Sequence, residues 1–191
     1  MDNEDMFKSS FVNDSNLDNL IIHQAIKSDD KNEQEAMDFI RKKDKEWVYI
    51  FDKSGKQTAR YEGEEGYVNP PEAQLLSKLN NATVVHNHPL DESFSLQDIK
   101  AITRYNAKKL IVVSPKYTYI VERNGNYWGF DLDSQTDIAF FEECASQAEQ
   151  FLFKEMQMGY INYTQKSEDE THYSWKFFFE IKNIKYERQG N

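Results

Sequence analysis

Cysteine is almost missing from this chain. Cys144 is the only one in 191 residues, so no intramolecular disulfide can form and a reducing compartment is expected. Long apolar runs are missing as well. None approaches the ~20 residues that a membrane-spanning helix needs. No basic segment followed by an apolar stretch opens the chain, so no signal peptide is expected. A cytoplasmic location is the resulting expectation. Positive charge is in short supply: 23 Lys and Arg face 33 Asp and Glu, for a formal net charge of −10. Affinity for nucleic acid depends on Lys and Arg reaching phosphates, so a nucleic-acid partner is not expected. No repeat and no low-complexity tract is present. Aromatics are plentiful, with 13 Phe, 11 Tyr and 3 Trp. That is ample bulk for the core of one domain with extensions.

Periodicity and turn residues suggest an element order. Residues 1 to about 15 are polar and acidic, and residues 16–43 read as helix, interrupted near Ser28 to Asn32. Strands are expected at 46–52 and 57–62, joined by a turn at Lys53-Ser54-Gly55-Lys56. A loop at 63–71 leads into a helix that runs to about Leu79, with Pro71 suited to its first turn. Strand 82–86 and loop 87–94 follow, then a helix from Ser95 to about Tyr105. Strands are expected at 109–114 and 117–123. A third is expected in Asn126-Tyr127-Trp128-Gly129-Phe130, because Asn124-Gly125 is a strong hairpin signal. Residues 133–158 read as one long helix, and Thr164 to Thr171 as a polar segment. Tyr173 to Asn183 reads as an aromatic helix or strand, and Ile184 to Arg188 as a short final element. The expected division is a polar tail with a helical extension (1–43), a core (44–131) and a helical, aromatic C-terminal extension packed on the core (132–191).

The most informative stretch is His86-Asn87-His88-Pro89, followed by Ser95 and Asp98. The two histidines end the apolar run Ala82-Thr83-Val84-Val85. Residues two apart on a strand point to one face, so both imidazoles can reach one ion. Pro89 cannot extend a central strand, so the chain must turn there. That turn lets Asp98 come back as a third, anionic ligand. Two His and one carboxylate, with a fourth position open to water, is the layout of a catalytic zinc site. Each piece also has a plain structural reading. A histidine on an apolar strand is often hydrogen-bonded core. Ser95 and Asp98 make a good helix start, with Ser95 as N-cap and Asp98 in the first turn. His23 and His172 have no ligand spacing around them and read as structural.

The pattern H-x-H-P followed by S-x-x-D, carried by His86, His88, Ser95 and Asp98, resembles the JAMM motif of the JAB/MPN metallopeptidases. The resemblance covers roughly residues 44–130. The flanking sequence is most similar to prokaryotic and phage-type members and more distantly to RadC-type proteins. The spacer from His88 to Asp98 is one residue shorter than in many members. The resemblance implies an α/β fold, cytidine-deaminase-like, with a mixed curved sheet flanked by helices. It implies Zn²⁺ bound by His86, His88 and Asp98, with Ser95 steadying the oxyanion. It also implies a glutamate near the first strand as general acid/base on the zinc-activated water. Glu46, at the mouth of the strand Trp47 to Phe51, fits that place; Glu33, Glu35, Glu62, Glu64 and Glu65 compete with it.

The implied activity is hydrolysis of an amide bond, as a peptidase or isopeptidase, on a protein or peptide substrate such as a ubiquitin-like conjugate. Two alternatives differ in class. One is a non-catalytic MPN-type scaffold, against which the retained ligand set counts. The other is a phage or mobile-element protein that binds and inhibits a host factor through its acidic surface and aromatic tail. A phosphodiesterase using the same ion fits the acidic charge less well.

Overall fold

The computed structural model describes residues 22–191. Among them, five helices and six strands form an α/β architecture around a single mixed sheet. The first half contains α1 (Glu33–Ile40), β1 (Trp47–Phe51), β2 (Gln57–Glu62), α2 (Glu72–Lys78) and β3 (Thr83–Asn87). The second contains α3 (Leu96–Arg104), β4 (Lys109–Val113), β5 (Tyr117–Glu122), α4 (Gln135–Gln157), α5 (Tyr163–Ile181) and β6 (Lys185–Gly190). The strand order is β2-β1-β3-β4-β5-β6. Only β3 and β4 are parallel; every other neighbouring pair is antiparallel. A parallel pair needs a crossover, and α3 supplies it.

Strand β1 is buried along its whole length, which places it in the interior of the sheet with both faces covered. Val48 and Ile50 point into one core; Trp47, Tyr49 and Phe51 point into the other. The larger core lies under α3, α4 and α5 and includes Ile99, Ile102, Phe141, Cys144, Trp175, Phe178 and Phe179. The smaller core lies under α1, where Ala36 and Ile40 meet Val85, Ile111 and Val113. Beyond residue 132, α4 and α5 pack as a helical pair and β6 completes the sheet beside β5. No described helix is long and apolar enough to cross a membrane.

Three expectations about elements need correction. The helix expected at 16–43 is confined to Glu33–Ile40, with residues up to 21 lying outside the described part. Residues 22–32 form no helix and lie beside β2, where the Ile26 amide donates to Arg60 O at 2.9 Å. The helix starts late because Asn32 and Glu35 form a reciprocal capping box there. The strand expected at 126–130 does not form. A two-residue hairpin turn needs positive φ at its centre, and neither Asn124 nor Gly125 has it. The free side of β5 is taken by β6 instead, while the Trp128 indole turns inward to donate to Ala107 O at 2.9 Å. The polar segment Thr164–Thr171 is the first half of α5. An Asn162–Gln165 capping box starts it, and a Lys166–Glu170 pair at 3.1 Å supports it one turn on. The aromatic stretch after it continues the same helix, and Lys185–Gly190 is a strand.

Candidate metal centre

The residues singled out in sequence meet where β3 ends and α3 begins. His86 sits on β3 opposite Val48 of β1 and Val112 of β4. His88 lies one residue past the strand, its amide held by Val113 O at 2.9 Å. The chain then turns through Pro89 and Leu90. Asp91, in the left-handed region at φ 64°, pins the turn by accepting from Ser114 Oγ at 2.5 Å and Lys116 N at 2.9 Å. This turn returns the chain to the start of α3. There Ser95 Oγ accepts from Asp98 N at 3.1 Å, and Asp98 Oδ2 accepts from Ser95 N at 2.8 Å. The helix-capping reading of this pair is therefore realised, and its effect is to lock the Asp98 carboxylate in place.

Asp98 bridges the two imidazoles. Its Oδ1 lies 3.3 Å from His86 Nδ1, and its Oδ2 lies 3.2 Å from His88 Nε2. Glu46 reaches the other side of His86, with Oε2 at 3.0 Å from Nε2. His88 Nδ1–H donates to Ser93 O at 2.6 Å. A carbonyl can only accept, so this bond sets the tautomer and leaves Nε2 of a neutral His88 as the ligating atom. The rings of His86 and His88 stand 4.8 Å apart, nearly perpendicular. Glu46, His86 and His88 are all less than a tenth exposed.

Glu46 is held by the segment just after β2. Its amide donates to Glu64 O at 3.1 Å, and its carbonyl accepts from Gly63 N at 2.8 Å. Gly63 is required here, because a Cβ on it would collide with the Tyr67 carbonyl. The competing glutamates are occupied or exposed. Glu33 pairs with Lys109 at 2.7 Å, Glu35 caps α1, Glu64 pairs with Lys45 at 3.3 Å, and Glu62 and Glu65 face solvent.

The donor set suits a divalent cation. The buried Glu46 carboxylate and the partly buried Asp98 carboxylate converge on two imidazoles, and among the described residues no Lys or Arg pairs with either carboxylate. Burial disfavours charge on His86, yet the Glu46 and Asp98 carboxylates outweigh that penalty and push its pKa far up. His88 is pushed the same way against burial, mainly by Asp98. Burial likewise opposes the charge on Asp98, and His88 and His86 together hold its carboxyl well below the usual range. Without a cation, the carboxylates favour a proton on His86; a divalent ion can replace it. Among the described residues, Glu46, His86 and His88 form a candidate group whose donor atoms lie within 4.8 Å of one another. Asp98 approaches the same two histidines but divides its oxygens between them.

Two features went unread in the sequence. Ser93 supplies the carbonyl that orients His88, while its own buried hydroxyl has no protein partner. The Trp175 indole on α5 donates to Phe94 O at 2.7 Å, which fastens the loop carrying Ser93 to the C-terminal helices. Neither has a local signal, because both are contacts made through backbone carbonyls or across distant segments.

The fold and site thus define an α/β protein with a buried His₂–carboxylate cluster able to hold a metal ion. No family model, no curated protein and no solved structure matches the chain.

Proposed function

We propose that this protein is a JAB/MPN-like zinc hydrolase that cleaves an amide bond in a protein or peptide substrate, with ubiquitin-like conjugates as the substrate class to test first. One observation carries the reading. Glu46, His86, His88 and Asp98 come from a strand mouth, a neighbouring strand end and a helix start, and they converge in one cluster, of which Glu46, His86 and His88 are buried. In this reading His86, His88 and Asp98 hold the ion, and Glu46 is the general acid/base. Zinc, when bound, supplies Lewis acidity that brings the pKa of a coordinated water towards about 7 and polarises a carbonyl.

The protein's own groups do the rest. Glu46 accepts the proton that the attacking water loses as the new C–O bond forms. It then returns that proton to the amine nitrogen as the C–N bond breaks. Ser95 is exposed, and its Oγ uses a lone pair to cap α3. Its own O–H remains available to donate to the developing oxyanion. The positive end of α3 favours negative charge at the same place.

The test begins with metal content by plasma mass spectrometry on tag-free protein, beside a His86→Ala/His88→Ala variant. About one zinc per chain, lost in the variant, is expected. Absence of metal from the native protein even when zinc is supplied would overturn the reading. A panel of peptide and isopeptide-linked substrates then separates the two carboxylates. Asp98→Asn should lose metal and hydrolysis together, whereas Glu46→Gln, which removes a charged partner of His86 and no ligand, should bind zinc more weakly but still fill at saturating zinc, and lose hydrolysis. Loss of metal in Glu46→Gln with retention in Asp98→Asn would exchange their roles.

A further inference from the structure

We infer that Asn87, the residue between the two histidines, is the positioning residue that holds Glu46 at the cluster; this rests on the metal-site reading above. Asn87 ends β3, and successive strand residues face opposite ways, so its side chain leaves the sheet on the side away from His86 and His88. It is 1 % exposed. Its side-chain carbonyl accepts from the Trp47 amide at 2.6 Å, and its side-chain amide donates to the Lys45 carbonyl at 3.0 Å. Trp47 and Lys45 are the two neighbours of Glu46 in the chain. The Asn87 amide therefore grips the backbone on both sides of Glu46.

This grip replaces main-chain pairing that ends just short of the site. The ladder between β1 and β3 runs from Phe51–Thr83 to Val48–His86 and goes no further. Past that rung the two strand ends are joined through the Asn87 side chain. On its other side Glu46 is fixed to Glu64 and Gly63 by backbone bonds. The backbone around Glu46 is thus held on both sides, by Asn87 of β3 and by the residues that follow β2, and its carboxylate has a defined place 3.0 Å from His86 Nε2. Only a side chain with both an acceptor and a donor on one short planar group can satisfy both contacts, which is what an Asn amide offers. Three consecutive residues, His86-Asn87-His88, then do two jobs: the outer two present imidazoles to the ion on one face, and the middle one anchors the carboxylate strand from the other.

The test is a double-mutant cycle on the full chain, read as zinc affinity by competition with a chromogenic chelator. The variants are Asn87→Ala, Glu46→Ala and the double variant. Amide exchange at Trp47 and thermal midpoints are recorded for each. Asn87→Asp is added because it keeps the acceptor for Trp47 and the side-chain shape while setting an oxygen against Lys45 O. Asn87→Ala should weaken zinc binding about 10-fold, the low end for outer partners of a metal site. It should also speed exchange of the Trp47 amide. Asn87→Asp should weaken zinc binding while leaving Trp47 protected. In the Glu46→Ala background, removing Asn87 should cost zinc affinity nothing further. Equal losses in both backgrounds would overturn the proposal, since Asn87 would then act through the histidines or through general stability. Unchanged affinity in a folded Asn87 variant would overturn it too. If the native protein takes up no zinc at all, the failure lies instead with the metal-site reading, and the proposal falls with it.

Discussion

Two buried histidine environments lie on the larger core, and they carry opposite electrostatics. At the end of β3, His86 and His88 sit among carboxylates, which push both ring pKa values up against the cost of burial. Between α5 and β6, His172 sits among cations. Burial, then Arg188 and Lys176, push its pKa down to about 3. Its Nδ1 accepts from the Tyr186 hydroxyl at 2.5 Å, which suits the neutral ring. Burial acts in the same direction at both places; the neighbours decide the outcome. The first environment could hold a cation, and the second is a hydrogen-bonded part of the core. A groove of about 360 Å³ beside His172 is lined by Lys176, Arg188 and Glu180, and it lacks the convergent carboxylates that mark the β3 end. Histidine count alone therefore says little about a site, whereas the charge of what surrounds each ring says much.

The contrast can be broken most severely at Asp98, the residue that ties both histidines. Asp98→Ala should lower zinc affinity by more than ~100-fold if Asp98 is a ligand as proposed, since a ligand matters more than the outer partners worth ~10–100-fold; chelator competition measures it. His172→Ala, by the same assay, should leave zinc affinity unchanged. The link between the two regions is Trp175, fully buried on α5 and bonded to Phe94 O in the loop beside His88. Trp175→Ala should cost about 3–5 kcal/mol in urea unfolding, through the cavity and the orphaned carbonyl.

Stability against pH sharpens the contrast, since the two regions should respond with opposite sign. His86 has a folded pKa raised from 6.5 to about 10. In chelator-treated protein its stabilising contribution is complete below pH 6.5 and fades as pH rises to about 10. The His172 contribution is complete above 6.5 and fades as pH falls towards about 3, because the unfolded ring takes up a proton that the folded ring refuses. Each slope should reach at most ~1.4 kcal/mol per pH unit. Zinc should flatten the alkaline limb, and His172→Phe the acidic one, in denaturation series across pH. Smaller effects come from single hydroxyls. Tyr186→Phe should cost about 1 kcal/mol and let the His172 pKa rise, read by NMR titration. Ser95→Ala should likewise cost about 1 kcal/mol as a lost helix cap.

Much of this was legible along the chain. The spacing of His86 and His88 on an apolar run puts both rings on one face without help from any other segment. Pro89 and the Ser95–Asp98 cap dictate the turn and the helix start by local sterics and hydrogen bonding. The resemblance to a known motif directed attention to Glu46, and the structure puts that residue against His86. The local rules failed where a distant partner competed. Asn124-Gly125 is a hairpin signal, but β6 claims the edge of β5. The N-terminal apolar residues match a helical period, yet Ile26 pairs with Arg60 on the β2 edge instead.

What the sequence determined by itself is therefore local: the strand that presents two imidazoles, the cap that orients Asp98, and the aromatic content that fills a core. What only the tertiary structure decided is the charge state of the histidines, the grip of Asn87 around Glu46 and the place of β6. Each of these depends on groups far apart in the chain, and their Coulombic and hydrogen-bond energies exist only once folding has brought them together and removed the water between them.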